Sequence, residues 1–331
     1  MLVSLFIFNS KMHYKKFTLR LVVFLLVIYS LDLMIGSVLE FLFFKQKTGP
    51  NYQIIESITT NKADLVILGN SRAQHHYNPR IISKKTGFSS VNAGLNGGYG
   101  IYLPTFQVEV MTINHNPKVI IVEIEPNTLS YNKLNYYLIK VLLPYVDRYP
   151  NAYEFLKLTD NYQKIKLLSK AYKYNSLIFD IIIYNLFSNK FAHVKSFIPI
   201  QKSLNKIDSV ANIGVNRNLN TFISDLNMEL ILKKLIYIAK IKNIKLVIVN
   251  SPIYNNEVND NYSFAGKKAI QIMNDNKISF WDYSNDTSFF NKYYLFSDRL
   301  HLNNKGAELY SNIIAERLVA EGISIKKYFD K

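Results

Sequence analysis

The feature that most constrains the fold of this chain is a series of short apolar runs, rich in Val, Ile and Leu, separated by stretches with helical spacing. Such β-branched runs are typical of strands buried on both faces of a parallel sheet. The predicted strands cover residues 64–69, 89–92, 118–124, 244–250 and 278–282. The predicted helices cover residues 100–115, 226–242, 264–275 and 304–320. The alternation indicates an α/β fold, a three-layer α/β/α sandwich with a five-stranded parallel sheet.

One stretch, from about 130 to 221, does not follow this alternation and is rich in Tyr, Leu, Ile and Lys. Helical spacing recurs from Tyr153 to Tyr172, and the apolar run Leu177–Phe187 is too short to cross a membrane. The stretch is therefore predicted to be a largely helical insertion beside the site. Two roles stay open for it, shaping a substrate cleft or adding a packing layer.

The second long-range signal is the apolar segment Leu21–Phe44, which is long enough to cross a bilayer although Asp32 and Glu40 interrupt it. Basic residues precede it at positions 11, 15, 16 and 20, which by the positive-inside rule leaves the N-terminus in the cytoplasm. Because no small-residue cleavage site stands out, we expect an uncleaved signal-anchor. Residues 1–47 then form the cytoplasmic N-terminus and anchor, and residues 48–331 the main domain. A buried helix of that domain is the alternative, and Met12 is an alternative start that keeps the anchor intact.

Composition removes several classes of protein. The chain has no cysteine, which excludes disulfides, thiolate zinc sites and a thiol nucleophile. Its net charge of +16 is spread along the chain, and no helix-turn-helix or RNA-binding signature accompanies it. No nucleic-acid partner is therefore expected, whereas attraction to an acidic glycan or a lipid headgroup stays open.

Two motifs at opposite ends of the chain offer the parts of a nucleophilic site. Asp298 precedes His301 by one turn, so that its carboxylate can orient the imidazole as a general base. Ser71 follows the first predicted strand in the wording Gly-Asn-Ser, where a hydroxyl is exposed enough to react. Each signal alone is weak, because a serine after a strand is usually a helix cap.

Two further strand ends supply candidate oxyanion donors. The glycine-dense segment containing Gly97 follows the second predicted strand and can present a backbone N–H group. Asn127 follows the third strand, where its side-chain amide can donate to the same oxyanion. In an open parallel sheet, sites lie at the carboxyl ends of the strands, so these groups are expected to meet.

The order Ser71, Gly97, Asn127 and the pair Asp298 and His301, each after a strand end, resembles the SGNH/GDSL hydrolase family over roughly residues 60 to 320. The resemblance implies an SGNH, flavodoxin-like fold and a serine mechanism that needs no metal and no cofactor. It also implies an oxyanion hole formed by the Ser71 and Gly97 N–H groups and the Asn127 amide.

The sequence departs from the common motifs of the family at two places. It has Gly69-Asn70-Ser71 where the family commonly has Gly-Asp-Ser, and Glu125-Pro-Asn127-Thr where the family commonly has Gly-x-Asn-Asp. The wording Gly-Asn-Ser-Arg-Ala resembles envelope-anchored branches that serve alginate O-acetylation and teichoic-acid D-alanylation. This implies a bacterial cytoplasmic membrane protein, single-pass, with its catalytic domain on the periplasmic, extracytoplasmic side.

Three functions are consistent with the sequence. The first is a serine esterase that removes small O-acyl groups, acetyl above all, from an envelope or extracellular glycan. The second is an O-acyltransferase that modifies a cell-surface polysaccharide, with a membrane-bound acyl-transfer partner as an open question. The third is a non-catalytic glycan-binding or assembly protein.

Several other polar residues lie near the predicted strand ends. Arg72, His75, Asn250 and Ser251 are candidate substrate-binding residues because they flank the first and fourth strands. His75 and His76 suggest a metal site, but neighbouring histidines on a helix point in different directions and no carboxylate cluster accompanies them. We therefore expect no metal, and both histidines at the surface or the edge of the cleft.

Overall fold

The computed structural model describes residues 10–59, 62–97, 100–187, 197–206, 223–254 and 262–325. Five parallel strands form one sheet in the order β2-β1-β3-β4-β5. The strands are β1 (Leu65–Leu68), β2 (Ser90–Asn92), β3 (Val119–Glu123), β4 (Lys245–Asn250) and β5 (Ser279–Asp282). The predicted α/β fold with a five-stranded parallel sheet is therefore confirmed, and this strand order is the flavodoxin-like one.

The central strands are apolar throughout because both faces of the sheet are covered. In β1, Val66 and Leu68 pack into one core, while Leu65 and Ile67 pack into the other. Alternate side chains of a strand point to opposite faces, so a run without polar residues requires a layer of helices on each side. The apolar composition of β1, β3 and β4 thus determines the three-layer arrangement.

Among the described residues, seven helices supply the two outer layers. One face is covered by α2 (Pro50–Thr59), α5 (Tyr102–Asn114), α10 (Leu226–Ile241) and α11 (Phe264–Asp275). The other is covered by α3 (Ser71–His76), α4 (Pro79–Thr86) and α12 (Asn304–Ala320). All four helices predicted from apolar spacing are present at nearly the predicted bounds.

Side-chain caps determine where the helices near the site begin. The side chain of Asn70 accepts a hydrogen bond from the Arg72 N–H at the start of α3. Asn303 caps α12 in the same way through the Gly306 N–H. A capped first turn holds its N–H groups in fixed directions, which matters because both helices start at the candidate site.

The described part of the predicted insertion consists of short helical pieces. They are α6 (Lys133–Leu138), α7 (Ala152–Leu156), α8 (Gln163–Lys166) and α9 (Ile178–Leu186), with 3-10 segments at Ile139–Tyr145 and Ala171–Leu177. The helical pattern predicted over 153–172 is broken, because Asp160 accepts a hydrogen bond from the Tyr162 N–H and turns the chain. Residues 188–196 and 207–221 of the predicted insertion lie outside the described residues.

The N-terminal helix α1 (Ser10–Lys45) contains one stretch, Tyr14–Lys45, long and apolar enough to cross a membrane. Its last third packs on the insertion. Asp32 accepts hydrogen bonds from the Ser169 hydroxyl at 2.6 Å and the Lys170 N–H at 2.7 Å. Phe43 is fully buried. The N-terminal helix α1 and the main domain that follows the predicted boundary at 47/48 therefore share one hydrophobic core.

Phe43 provides a direct test of this shared core, because its ring lies 5.5 Å from that of Tyr145 and 5.8 Å from that of Tyr174. Phe43→Ala in the full chain is expected to lower the free energy of unfolding by about 3–5 kcal/mol, the usual cost of truncating a buried Phe. Phe41→Ala is the matched control, since Phe41 is 61% exposed on the same helix. Denaturant midpoints in detergent measure both, and equal midpoints would contradict the shared core.

Candidate active site

The candidate nucleophile, Ser71, is the first residue of α3 and follows β1 through a tight turn at Gly69. Gly69 has φ +140°, a conformation that side chains rarely adopt, and a Cβ there would lie 2.7 Å from the Glu123 carbonyl oxygen. Only glycine allows β1 and β3 to approach this closely at the turn. The turn places the Ser71 hydroxyl at the carboxyl edge of the sheet, at the start of a helix.

The structure brings Ser71, His301 and Asp298 together in one hydrogen-bonded chain. His301 Nε2 lies 2.8 Å from Ser71 Oγ. His301 Nδ1 lies 2.9 Å from Asp298 Oδ2 and 3.0 Å from Oδ1. Because a carboxylate only accepts, Nδ1 carries the proton and Nε2 is the acceptor that faces the serine hydroxyl. The arrangement can remove a proton from Ser71.

Asp298 is held by a tight loop between the 3-10 turn Tyr293–Leu295 and α12. Its Oδ1 also accepts hydrogen bonds from the Leu300 N–H at 2.8 Å and the His301 N–H at 2.9 Å. Burial alone would raise the pKa of Asp298, but the hydrogen bonds from His301 and Leu300 outweigh it and lower the pKa. Asp298 is therefore ionised at neutral pH and keeps the imidazole in one orientation.

Asn127 presents its amide in one orientation. Its Oδ1 accepts hydrogen bonds from the Ser263 N–H at 2.9 Å and the Ser263 hydroxyl at 2.8 Å. A backbone N–H can only donate, so the oxygen must face Ser263 and the Nδ2 donor points the other way. Gly266 leaves room for this contact, because a Cβ at position 266 would lie 2.5 Å from Asn127 Oδ1.

The other two candidate oxyanion donors are backbone groups. The Ser71 N–H lies in the first turn of α3, where a helix leaves its N–H groups without internal acceptors. Gly97 lies in a bend after β2 with φ +127°. Such a conformation suits a backbone group that must turn toward a neighbouring site.

Beneath Ser71 lies a buried ion pair between Arg72 and Glu123, with 2.5 Å between Arg72 Nη2 and Glu123 Oε1. Glu123 also accepts hydrogen bonds from the Tyr77 hydroxyl at 2.5 Å and the Ser251 N–H at 3.1 Å. Arg72 Nη2 donates to Asn250 Oδ1 at 2.7 Å. Burial alone would lower the pKa of Arg72, but the Glu123 charge raises it, so the guanidinium stays charged.

These contacts correct part of the sequence prediction. Arg72, Asn250 and Ser251 were candidates for substrate contact, but all three are buried and bonded within this network. Their physical role is to hold the ends of β3 and β4 against α3. His75 is the member of that set that stays partly exposed at the cleft edge.

His76 is fully buried, which corrects the expectation that it lies at the surface. Its Nε2 accepts a hydrogen bond from the Leu302 N–H at 3.0 Å, so its Nδ1 must donate to the Ser251 hydroxyl at 2.8 Å. Burial lowers the pKa of His76 well below the usual range, and the nearby Arg72 charge lowers it further. The neutral ring ties α3 to the residue that directly follows His301.

His75 lies beside the candidate base, with 5.6 Å between its ring centre and that of His301. Its Nδ1 lies 2.7 Å from the Ile198 carbonyl oxygen and donates to it. Burial lowers the pKa of His75, although its hydrogen bond to the Ile198 carbonyl acts in the opposite direction. Ile198 belongs to the predicted insertion, so this part of the insertion borders the site.

Four residues of the site were missed from the sequence, namely Glu123, Tyr77, Ser263 and Tyr310, whose hydroxyl lies 3.1 Å from that of Tyr77. Glu123 had a usable signal, because an acidic side chain at the end of an otherwise apolar strand needs a buried partner. Ser263 carried only the ordinary signal of a helix cap. Across the residues that the structure describes, no group of three or more His, Cys, Asp or Glu side chains is arranged to hold a metal ion.

Comparison with known proteins gives distant similarity only. No family model matches the chain, and no curated protein matches it. Among solved structures, an acetyl xylan esterase, AlAXEase, is 12% identical, with a TM-score of 0.36 over 78% of this chain and 98% of that one. A Bacteroides fragilis protein described as an acylhydrolase is also 12% identical, with a TM-score of 0.36 over 80% of this chain and 93% of that one. At these scores neither similarity bears on the activity of this chain.

The Arg72–Glu123 ion pair is predicted to make a large contribution to the stability of the folded protein. Glu123→Gln leaves a buried guanidinium without its counter-charge, and the expected loss in the free energy of unfolding is about 3–5 kcal/mol. Glu316→Gln is the control, because its ion pair with Lys85 is solvent-exposed and is worth about 0–1 kcal/mol. Chemical denaturation at pH 7 measures both variants, and a Glu123→Gln protein as stable as the Glu316→Gln protein would contradict the role of the pair.

Proposed function

We propose that this chain is a membrane-anchored serine acyl-transfer enzyme that removes small O-acyl groups from a glycan. The observation that carries the proposal is the continuous hydrogen-bonded chain from Ser71 through His301 to Asp298. Ser71 lies 230 residues before His301 in the sequence, so that chance proximity is a poor explanation. A binding protein has no need of a general base directed at a serine hydroxyl, which disfavours the non-catalytic alternative.

In the proposed first step, Ser71 Oγ attacks the carbonyl carbon of an ester while its proton passes to His301 Nε2. The tetrahedral intermediate collapses when the ester C–O bond breaks and His301 returns the proton to the leaving alcohol oxygen. An acyl group then remains on Ser71. A water molecule attacks this acyl-enzyme, gives its proton to His301, and releases the carboxylic acid and the free serine.

The proposed oxyanion hole consists of the N–H groups of Ser71 and Gly97 and the Nδ2 donor of Asn127. The orientation of the Asn127 amide supports this assignment, because Ser263 occupies the oxygen and leaves the donor free to turn toward the cleft. Donors fixed before the reaction need no reorganisation when charge develops on the carbonyl oxygen. One such donor typically contributes about 2.7–4 kcal/mol to transition-state stabilisation.

The acceptor in the second step distinguishes an esterase from an acyltransferase. Water as the acceptor gives hydrolysis, which requires one substrate, whereas a glycan hydroxyl gives acyl transfer. His75 supports acyl transfer as the second candidate function, because a neutral, partly exposed imidazole beside His301 can bind an acceptor hydroxyl. We place the enzyme on the extracytoplasmic side of a bacterial cytoplasmic membrane, since the basic residues at 11, 15, 16 and 20 precede the apolar stretch of α1.

Kinetics of the full-length protein in detergent test the site residues. Ser71→Ala and His301→Ala are each expected to lower kcat/KM for p-nitrophenyl acetate by at least about a thousandfold. The double variant is expected to be no worse than Ser71→Ala, because both residues serve one step. Asp298→Asn is expected to cost less than His301→Ala, since some correctly oriented neutral imidazole remains. Additive losses, or an active His301→Ala enzyme, would contradict the proposal.

The nature of the acceptor is tested by adding a glycan to the same assay. Ester turnover that is unchanged by the glycan, with free acetate as the product, is the expected result for an esterase. Turnover that depends on the glycan, with acetyl groups appearing on its hydroxyls, would identify an acyltransferase instead. A folded protein that binds the glycan and turns over no ester under either condition would contradict both.

A further inference from the structure

The edge of the insertion beside α1 exposes apolar side chains that a water-soluble surface would bury. Tyr162, Ile165 and Leu168 are spaced one turn apart around α8, and Leu168 is 72% exposed. On α9, Phe179, Ile182, Ile183 and Leu186 repeat at helical spacing, and Phe179 is 81% exposed. We call these seven residues the apolar rim. An apolar stripe at this spacing normally faces the core, so its exposure indicates a missing apolar partner.

The rim is attached to α1 at known heights along that helix. Leu168 directly precedes Ser169, whose hydroxyl donates to Asp32. The other end of the rim is set by Asn185, whose side chain donates to the Leu42 carbonyl oxygen at 3.0 Å. The rim therefore runs alongside residues 32 to 42 of α1.

The length of α1 places residues 32 to 42, and the rim beside them, within the membrane. From Leu21, the first residue after the basic cluster, to Leu31 the helix rises only about 17 Å, and the hydrocarbon core is about 30 Å thick. A span that begins at Leu21 therefore continues to about Phe41. The side of α1 that faces away from the domain stays apolar and exposed over this stretch, at Met34, Val38 and Phe41.

Charged groups in the same stretch are arranged for a low-dielectric surrounding. Asp32 accepts three hydrogen bonds, from the Ser169 hydroxyl and from the N–H groups of Lys170 and Ala171. Glu40 pairs with Lys170 and Arg148. Polar groups within a bilayer need internal partners of this kind. The two acids that made the span look imperfect in sequence are thus satisfied by the domain itself.

We propose that the apolar rim inserts into the outer half of the bilayer, so that the catalytic domain sits in the membrane interface instead of on a flexible stalk. Lipid is the expected occupant because the rim is continuous with the exposed face of α1. The outer half of the hydrocarbon core is about 15 Å thick, and the rim extends through that half because it runs alongside residues 32 to 42 of α1. Lys164 and Lys166 lie among the rim residues of α8, where Lys166 pairs with Asp160 and the long side chain of Lys164 can reach toward anionic headgroups. The proposal depends on α1 crossing the membrane, as the proposed function holds, and not on the chemistry of Ser71.

Spin labels measure the depth directly, because the chain has no cysteine and any introduced one is unique. Leu168→Cys and Phe179→Cys would be labelled in the full chain, in vesicles of phosphatidylethanolamine and phosphatidylglycerol. Collisions with oxygen report lipid, and collisions with a water-soluble nickel complex report water. Leu26→Cys, in the middle of α1, is the lipid reference, and Ile241→Cys, 57% exposed on α10, is the water control.

The expected oxygen-to-nickel ratio at Leu168 and Phe179 is several-fold above that at Ile241 and similar to that at Leu26. Ratios equal to that at Ile241, with Leu26 in lipid, would overturn the rim proposal alone. A Leu26 label in water would overturn the membrane span first and the rim with it. Labels shielded from both reagents would identify a protein partner or a second copy on the rim, which also overturns insertion into lipid.

Discussion

The arrangement of the candidate site depends on one buried interaction, the ion pair between Arg72 and Glu123. Arg72 follows the nucleophile directly, and Glu123 ends the central strand β3, so the pair locks the start of α3 onto the sheet. Isolated buried charges are strongly unfavourable, and the pair is tolerated because Tyr77, Asn250 and the Ser251 N–H satisfy its remaining hydrogen-bonding groups. The position of Ser71 is therefore determined by the buried ion pair beneath it.

The candidate base is held by an extension of the same network. Ser251 contacts Glu123 through its N–H and His76 through its hydroxyl, and His76 accepts from the Leu302 N–H. Since Leu302 follows His301, the separation between base and nucleophile is set by buried groups and not by the Ser71–His301 contact itself. Such support is what a site needs if its hydrogen bonds are to be in place before substrate arrives.

Much of this architecture could be predicted from sequence, because β-branched runs and helical spacing are local patterns that indicate which residues are buried. The strands, four of the helices and the motifs at Ser71 and Asp298 depend on such patterns. The roles of Arg72 and His76 could not be predicted, because their partners lie at distant positions that meet only in the folded sheet. Hydropathy likewise could not distinguish the part of α1 that packs on the domain, since a Phe that faces protein and a Phe that faces lipid have the same hydropathy.

The central claim is that His301 activates Ser71, and labelling with a fluorophosphonate tests it most directly. A serine hydroxyl that has lost its proton to a base displaces fluoride from phosphorus and retains the phosphonyl group. Mass spectrometry of the full-length protein is expected to find the label on Ser71 and to find it lost in His301→Ala. An unlabelled Ser71 in the folded wild-type protein, or equal labelling in His301→Ala, would contradict the account.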